Sequence, residues 1–249
     1  MKHQECRNED IISIYRQYYQ RIHGGIDGYY EKTILDSPIY EIYTNVTLAY
    51  FSVHPTRGLT SLVVLPEHNE SYETIFSYVI GLPLFTHILF SEKDEQFVDQ
   101  MKKNNIPYEI QAYNFEANQK SVSSLRMNAV KNKDLDRIRK EFGEFIEYNQ
   151  ISLENKRAFY YAQDDKMISF GALEPLRLNE NRFCISMVVS EAYRKKGYGS
   201  ETVKFLIEYL QSKNLECNAR CYVHNEASRK TLIKSGLVIS NVLYKAQKG

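Results

Sequence analysis

The pattern of apolar and polar positions predicts that the chain opens with a helix and continues into a sheet. Apolar residues recur at helical spacing over 11–23, and Gly24-Gly25 would end that helix because glycine tolerates the left-handed backbone of a helix stop. The segments 39–53 and 59–65 are rich in β-branched and aromatic residues, and the turn-like segment 54–58 separates them. This arrangement predicts paired strands.

The rest of the first half alternates between helical and extended patterns. Helical spacing returns over 70–79, followed by an apolar strand at 84–90, a helix over 92–104 and a strand at 106–113. These elements predict a small α/β domain. The next segment, 114–124, is polar and lacks periodicity, so we predict the domain boundary there.

The second half predicts a longer series of strands and helices. In chain order they are a strand at 125–129, helices at 134–148 and 152–156, strands at 158–163, 167–173 and 182–189, a helix at 199–213, a strand at 217–223, a helix at 225–235 and a strand at 238–244. The predicted fold class is α/β (α+β), with a mixed central sheet flanked by helices. We predict a smaller N-terminal α/β domain over 1–120 and a second domain over 125–249.

The composition is that of a folded protein without a membrane segment. Of the 249 residues 43% are hydrophobic and 25% are charged, which suffices for globular cores and argues against long disorder. The longest near-apolar stretch, 78–90, is too short to span a bilayer and contains Pro83 and His87. The polar N-terminus lacks the apolar segment of a secretory signal, so we expect a cytoplasmic protein.

The cysteines give no indication of a metal site. The four of them are scattered and are expected to be free thiols in a reducing compartment. Cys217 and Cys221 would share one face of a strand, but no second Cys/His pair lies at a spacing that completes a zinc site. We therefore predict no metal.

The charge is divided unevenly along the chain, although the net charge is +1. Residues 1–120 carry 10 Lys+Arg against 16 Asp+Glu, a balance of −6, and the remainder carries 22 against 15, a balance of +7. A basic half suits an anionic ligand and an acidic half a cationic one, but the charge division alone favours the simpler explanation of an uneven solvated surface. The charge therefore does not identify a ligand, and evidence for a function has to come from sequence motifs.

One strand-to-helix connection has the features of a phosphate-binding site. The strand that ends at Val189 leads through a short turn into Arg194-Lys195-Lys196-Gly197-Tyr198-Gly199, which opens directly into an amphipathic helix. Glycines allow successive backbone N–H groups to point at one spot, and the helix N-terminus adds unpaired donors and a positive dipole end. The sequence lacks the Gly-Lys-Ser/Thr of a nucleotide P-loop and the glycine spacing of a dinucleotide fingerprint.

This connection resembles the pyrophosphate loop of the GNAT acyltransferase superfamily, which has the form Arg/Gln-x-x-Gly-x-Gly/Ala after a strand. Here Arg194, Gly197 and Gly199 match it. A second motif follows at family-like separation: a strand ending at Val223, then Asn225-x-x-Ser228, then Gly236-Leu237 before the last strand. The resemblance covers about 125–249. The N-terminal half shows no such motifs, but tandem or extended bacterial members of the superfamily exist.

The resemblance implies that acetyl-CoA, or a related acyl-CoA, lies between two splayed parallel strands, those ending at Val189 and Val223. Backbone groups at 187–189 would pair with the pantetheine, amides at 195–200 would hold the pyrophosphate, and Asn225 would contact the pantetheine arm, unless it is simply a helix N-cap. The implied cofactor-binding residues are Met187, Val188, Val189, Arg194, Lys195, Lys196, Gly197, Tyr198, Gly199, Ser200 and Asn225.

The reaction implied is direct transfer of the acetyl group to a primary amine, with a backbone N–H such as that of Val189 stabilising the oxyanion. Many members carry a Tyr seven residues after the Asn to protonate the leaving thiolate, but this chain has Leu232 there. Ser228, Tyr222 or His224 could substitute. We predict Glu174, at a strand end, as the base that acts directly or through water. Ser186 and Cys184 could line the same site.

The leading hypothesis is a cytoplasmic acetyl-CoA-dependent N-acetyltransferase that acts on a small-molecule amine. The acidic, Tyr-rich N-terminal domain would help to form the acceptor pocket or be a degenerate acyltransferase-like domain. The alternative is a catalytically weak acyl-CoA-binding regulatory or interaction module, because Leu232 replaces the expected Tyr. Nucleic acid and membranes are not expected as partners. The identity of the amine and the oligomeric state stay open.

Overall fold

The computed structural model describes residues 1–22 and 26–248, which form two compact units. The first unit contains Met1–Asn114, Arg177–Asn179 and the C-terminal residues from Ser240, and the second contains Phe115–Leu176 and Glu180–Ile239. This division differs from the predicted limits of 1–120 and 125–249, because contacts assign the end of the chain to the first unit. The predicted stop at Gly24-Gly25 lies outside the described residues.

The first unit is an α/β unit. Its elements are β1 (Lys2–Cys6), α1 (Asn8–Arg21), α2 (Gly28–Leu35), β2 (Ile39–Tyr43), β3 (Thr47–His54), β4 (Gly58–Val64), α3 (Tyr72–Gly81), β5 (His87–Ser91), α4 (Glu95–Lys103) and most of β6 (Tyr108–Ala117). The sequence did not predict β1 and α2. The predicted strand segment 39–53 is two antiparallel strands, because the chain turns where Thr44 N–H donates to Val46 C=O at 3.0 Å.

The second unit contains a mixed sheet with helices on both faces. Its elements are β7 (Asn128–Ala129), α5 (Leu135–Phe142), α6 (Glu144–Glu147), α7 (Gln150–Glu154), β8 (Ala158–Gln163), β9 (Lys166–Pro175), β10 (Arg182–Val189), α8 (Tyr198–Gln211), β11 (Glu216–Tyr222), α9 (Glu226–Lys234) and the start of β12 (Leu237–Gln247). The helix predicted over 134–148 is broken at Gly143, whose φ of +48° is incompatible with a continuing helix.

The two units have related strand orders, each of seven strands, and share β6 and β12. In the first unit the order is β1-β2-β3-β4-β5-β12-β6, and in the second it is β12-β6-β11-β10-β9-β8-β7, with β6 and β12 contributing residues to both. Most of the described pairings in each unit are antiparallel, but β4 pairs with β5, and β10 with β11, in parallel. In both parallel pairs the strands separate along their length.

The polar segment that the sequence marks as a boundary lies along α8 in the second unit. Three backbone N–H groups of this segment donate to side chains of the helix: Ser121 to Gln211 at 3.0 Å, Ser123 to Glu208 at 3.0 Å and Ser124 to Glu201 at 2.8 Å. Burial opposes ionisation of Glu201, but Lys204 and Ser124 outweigh it and lower the pKa of Glu201 to about 2. The segment is therefore tied to the helix.

Opposite faces of the second sheet pack against different helices. On one face Phe170, Ala172 and Val188 join a cluster with Ile138 of α5 and Ile146 of α6. On the other face α8 lies close to the sheet, and a Cβ on Gly171 would come within 2.8 Å of Leu206. Over the described part of the chain, no helix is long and apolar enough to cross a membrane.

Candidate active site

The basic glycine loop connects β10 to α8 through a tight backbone path. A short 3₁₀ turn at Glu191–Tyr193 precedes it, and both Lys195 (φ +61°) and Gly197 (φ +91°) adopt left-handed conformations. Gly197 is the N-cap of α8, and no atom lies within 4 Å of the Cβ that another residue would place there. The space around the Gly197 Cβ position is therefore open, and the first N–H groups of α8 have no partner within the helix, as an anion site requires.

The three cations of the loop are exposed and partly held by the loop itself. Arg194 Nε donates to the carbonyl of Val189 at 3.3 Å, and Lys196 Nζ donates to the carbonyl of Ala192 at 3.1 Å. Lys196 also lies 5.1 Å from the ring centroid of Tyr193. Positive charge is thus concentrated around the N-terminus of α8, where it adds to the helix dipole.

The second glycine of the motif has a packing role. A Cβ on Gly199 would lie 3.2 Å from Thr231 Cγ2, 3.3 Å from Met187 Cε and 3.5 Å from Val189 Cγ2. The absence of a side chain allows the first turn of α8 to approach β10. Next to it, the buried Ser200 hydroxyl donates to the Gly197 carbonyl at 2.9 Å and tightens the turn. Tyr198 stacks on Tyr161 at 5.9 Å.

The strand that feeds the loop has a free backbone edge. In the described structure, β10 pairs with β11 through Arg182–Cys184 and Glu216–Asn218, and the pairing ends there. Ser190 N–H donates to the Ile168 carbonyl of β9 at 2.9 Å, so the even-numbered residues of β10 bond to β9. Beyond Asn218, β10 and β11 are no longer paired and a gap opens between them. Because successive backbone groups point to opposite sides of a strand, the backbone groups of Met187 and Val189 face this gap.

This geometry corrects one part of the expected cofactor contacts. Val188 is an even-numbered residue of β10, so its N–H and carbonyl face Phe170 of β9 and cannot pair with a ligand in the gap. Its side chain packs in the cluster with α5. We therefore retain Met187 and Val189, and not the backbone of Val188, as candidates for pantetheine contacts.

Asn225 is the N-cap of α9. Its side-chain oxygen accepts a hydrogen bond from Ser228 N–H at 3.0 Å, which satisfies one of the unpaired donors of the first turn. The capping alternative is therefore present in the structure. The amide NH₂ of the exposed Asn225 side chain still points away from that bond, so a contact with the pantetheine arm stays a prediction. Ser228 lies in the same turn, half-buried.

A row of polar side chains crosses three strands on the face that α5 and α6 cover. Glu174 of β9 is opposite Cys184 of β10, which is opposite Asn218 of β11. The Cys184 thiol donates to Asn218 Oδ1 at 3.0 Å. Two residues further along β10, on the same face, the Ser186 hydroxyl donates to Asn149 Oδ1 at 2.6 Å. Asn149 and Asn218 were not predicted as site residues.

The candidate acid Tyr222 lies apart from the candidate base. Leu232 is buried and holds the position of the usual Tyr. Tyr222 is 46% exposed, with the Arg220 guanidinium 4.3 Å from its ring centroid. It lies four residues beyond Asn218, which is about 13 Å along an extended strand. Glu174 and Tyr222 are therefore too far apart to act on one proton without intermediates.

Comparisons with known proteins agree with the two-unit organisation. One family model, described as an acetyltransferase (GNAT) domain, matches residues 7–118, and another, described as the acetyltransferase (GNAT) family, matches residues 127–236. Together they span most of the chain. A comparison with curated proteins finds no match.

Several solved structures share the fold over almost the whole chain. An acetyltransferase of the GNAT family from Colwellia psychrerythraea superposes with a TM-score of 0.89 at 14% identity, covering 99% of each chain. A GCN5-related N-acetyltransferase from Sphaerobacter thermophilus gives 0.62 at 10% identity, covering 99% of this chain and 95% of its own. A tandem GNAT protein from the clavulanic acid biosynthesis pathway gives 0.59 at 8% identity, covering 100% and 98%. At these identities the likeness concerns the fold alone.

Proposed function

The chain belongs to the GNAT acetyltransferase family as a two-domain member, and from this premise we propose that its C-terminal domain transfers the acetyl group of acetyl-CoA to a small-molecule primary amine. One observation carries the proposal. The free backbone edge of β10 runs directly into the glycine loop, so a single strand offers partners for both ends of a pantetheine diphosphate.

The residues present fit such a donor. The open space in front of Gly197 and the N-terminus of α8 suit a diphosphate, and Arg194, Lys195 and Lys196 supply opposite charge. The backbone groups of Met187 and the N–H of Val189 suit the amides of a pantetheine arm, because they face the gap without a neighbouring strand. The Val189 carbonyl already accepts a hydrogen bond from Arg194 Nε. When bound, the donor would supply an activated thioester.

The direction of the strand indicates which backbone group serves the acyl end. The loop fixes the diphosphate at the C-terminal end of β10, so the arm must extend back towards Cys184, where β10 and β11 meet. Met187 lies nearer that junction than Val189. We therefore favour the Met187 N–H over that of Val189 as the donor that polarises the thioester carbonyl, a contribution of the kind made by oxyanion holes.

The polar face of the sheet beside Met187 provides the groups that would remove a proton from the amine. Ser186 donates its hydroxyl hydrogen to Asn149, whose own amide donates to the Phe145 carbonyl at 2.7 Å. The Ser186 oxygen is thereby oriented to accept a hydrogen bond from the incoming amine. Glu174 is opposite Cys184, two residues or about 7 Å along the strand from Ser186, so its action as base requires bridging water.

The alternative function is an acyl-CoA-binding regulatory or interaction module with little turnover. The buried Leu232 favours it, because leucine cannot protonate a departing thiolate. A thiol is nevertheless a moderate leaving group, with a pKa near about 8.5, and general acid help is typically worth about 10²- to 10⁴-fold. Turnover without that tyrosine is therefore compatible with the site.

Release of free thiol from acetyl-CoA, measured over a panel of primary amines, separates the two functions. The matched variants are Gly197→Asn and Gly197→Asp, because both side chains tolerate the left-handed backbone at this position and differ mainly in charge. We expect Gly197→Asp to weaken acetyl-CoA binding at least about tenfold more than Gly197→Asn, because a carboxylate enters the anion cradle. Binding without amine-dependent thiol release would favour the module, and equal binding by both variants would contradict the assigned donor site.

A further inference from the structure

The first unit has its own pair of parallel strands that separate. Among the described residues, β4 and β5 pair at Leu59 and Ile88. The Lys248 N–H bonds to the Thr86 carbonyl, so the even-numbered residues of β5 bond to β12 and its odd-numbered residues face β4. The Leu89 carbonyl therefore faces the gap between β4 and β5, and Thr60 lies at a register shift of β4 beside this gap. In each unit the first strand of the parallel pair continues through a short turn into a helix that leads to the second strand, so this gap corresponds to the one between β10 and β11.

A side chain of the first unit fills this gap. The Tyr30 hydroxyl, from α2, donates to the Thr60 carbonyl at 2.8 Å and lies 3.4 Å from the Leu89 carbonyl. It thus bridges the backbone edges of both separating strands. Tyr30 is 2% exposed, and the ring of Tyr19 packs edge-on against it at 6.3 Å. Next to them Tyr15 shares a hydrogen bond of 2.9 Å with Ser61 of β4.

The burial of the two corresponding strands differs accordingly. All seven residues of β4 are buried. In β10 the stretch Ser186–Val189, which borders the open gap, is half-buried. The edge that a donor would use is therefore accessible in the second unit and covered by the protein's own tyrosines in the first.

The connection after β4 also lacks the features of a diphosphate loop. It is the segment Pro66–Ser71, a 3₁₀ turn that leads into α3 without a glycine. Its charged residues include Glu67 and Glu70, whose carboxylates repel a diphosphate. A cavity of about 590 Å³ lies at this end of β4, but its wall combines Glu67 with Arg21 and offers no net positive charge.

We infer that the chain binds one acyl-CoA per molecule, in the C-terminal domain, and that Tyr30 closes the corresponding donor cleft of the N-terminal GNAT domain. This inference rests on the proposed function of the C-terminal domain. It adds that only one of the two acyltransferase-family domains of the chain holds a reaction centre.

Isothermal titration of the full chain with acetyl-CoA measures the stoichiometry. We expect one molecule per chain for the wild type and for Gly197→Asn, and binding at least about tenfold weaker for Gly197→Asp than for Gly197→Asn. Two molecules per chain, or a folded Gly197→Asp that binds one molecule as tightly as Gly197→Asn, would overturn the inference and leave donor binding itself intact. Absence of binding by the wild type would instead overturn the proposed function together with the inference, so the two failures are distinguishable.

Hydrogen–deuterium exchange locates the ligand. We expect acetyl-CoA to slow exchange in peptides that cover 186–189 and 195–200, and to leave peptides that cover 60–64 and 89–91 unchanged. The variant Tyr30→Phe keeps the ring and removes the hydroxyl that bridges the two strands. It should still bind one molecule, because the connection after β4 offers no anion site. Slowed exchange at 60–64 in the wild type would contradict a closed cleft.

Discussion

Ser186 is the polar side chain that most directly links the sheet to the proposed reaction centre. Its hydroxyl is held by Asn149, and it follows the residue that ends the β10–β11 pairing by two positions. We expect Ser186→Ala to lower kcat about tenfold and to leave the KM for acetyl-CoA unchanged, because the variant loses a hydrogen bond to the amine and none to the donor.

Steady-state kinetics with acetyl-CoA and the best amine of the panel measure this effect. Ser212→Ala is the matched control, because the Ser212 hydroxyl bonds locally to the Tyr209 carbonyl in the same helical end. It should behave as the wild type. An unchanged kcat in Ser186→Ala would remove Ser186 from the proposed site.

Asp94 is a buried carboxyl in the first unit whose ionisation costs stability. Burial raises its pKa from 3.8 to about 6, against the opposing effects of the Tyr18 hydroxyl, which donates at 2.6 Å, and the Phe97 N–H. Because the folded state holds this proton more tightly than the unfolded state, the unfolding free energy falls as the pH rises from about 4 to about 6 and then levels off. A shift of about two pKa units corresponds to about 3 kcal/mol.

The variant Asp94→Asn removes this titration and keeps an oxygen that can cap α4. We expect the Tm of the variant minus that of the wild type to increase by several degrees as the pH is raised from about 4 to about 8. Most of this increase should occur below about pH 6. Thermal unfolding followed by circular dichroism across this range provides the measurement. A constant difference in Tm between the two proteins would show that Asp94 does not titrate in this window.

At the scale of elements, Gly58 allows β4 and β5 to meet. It has a φ of +73°, and a Cβ there would lie 1.9 Å from the carbonyl oxygen of His87. A backbone atom cannot rotate away as a side chain can, so we expect Gly58→Ala to destabilise the protein by about 3 kcal/mol or more. Gly81→Ala is the control, because nothing lies within 4 Å of its Cβ position. Urea unfolding should leave the control within about 1 kcal/mol of the wild type.

The elements that the sequence predicted well are those with a strong local signal. The strand–loop–helix from β10 to α8 and the Asn225 cap follow from glycine positions and capping chemistry, which act over a few residues. The elements that it missed lack such a signal. β1 has the polar sequence KHQEC and forms a strand because β2 offers an edge, and α2 is only eight residues long.

The placement of side chains across strands could not be predicted in the same way. The gap beyond Asn218 and the direction of the Val188 backbone depend on register, which is a tertiary property. Asn149 reaches Ser186 from a residue 37 positions away in sequence. Similarly, nothing in the sequence distinguished Tyr30 from the other tyrosines of the first half, because the contacts of its hydroxyl depend on the separation of β4 and β5.

At the scale of the whole molecule, two domains of one family differ at the strand that borders the gap, which is β4 in the first unit and β10 in the second. They also differ in the connection that follows this strand. In the second unit a half-buried strand edge continues into a basic glycine loop. In the first, a fully buried strand continues into an acidic turn without glycine. This difference supports the proposal that the second domain binds the acyl donor and that Tyr30 closes the corresponding cleft of the first.

Because the net charge is +1, attraction of an anionic donor must come from the local field of the loop and not from the molecule as a whole. Raising the salt concentration from about 20 mM to about 200 mM shortens the screening length to well below about 10 Å. We expect the KM for acetyl-CoA to rise several-fold over this range, because Arg194, Lys195 and Lys196 are exposed. The neutral donor S-acetylpantetheine lacks the diphosphate, so its KM should change little, although it should be much higher throughout. Equal salt dependence for the two donors would mean that the loop cations do not contact the diphosphate end, and the assignment of the anion site to the N-terminus of α8 would have to be abandoned.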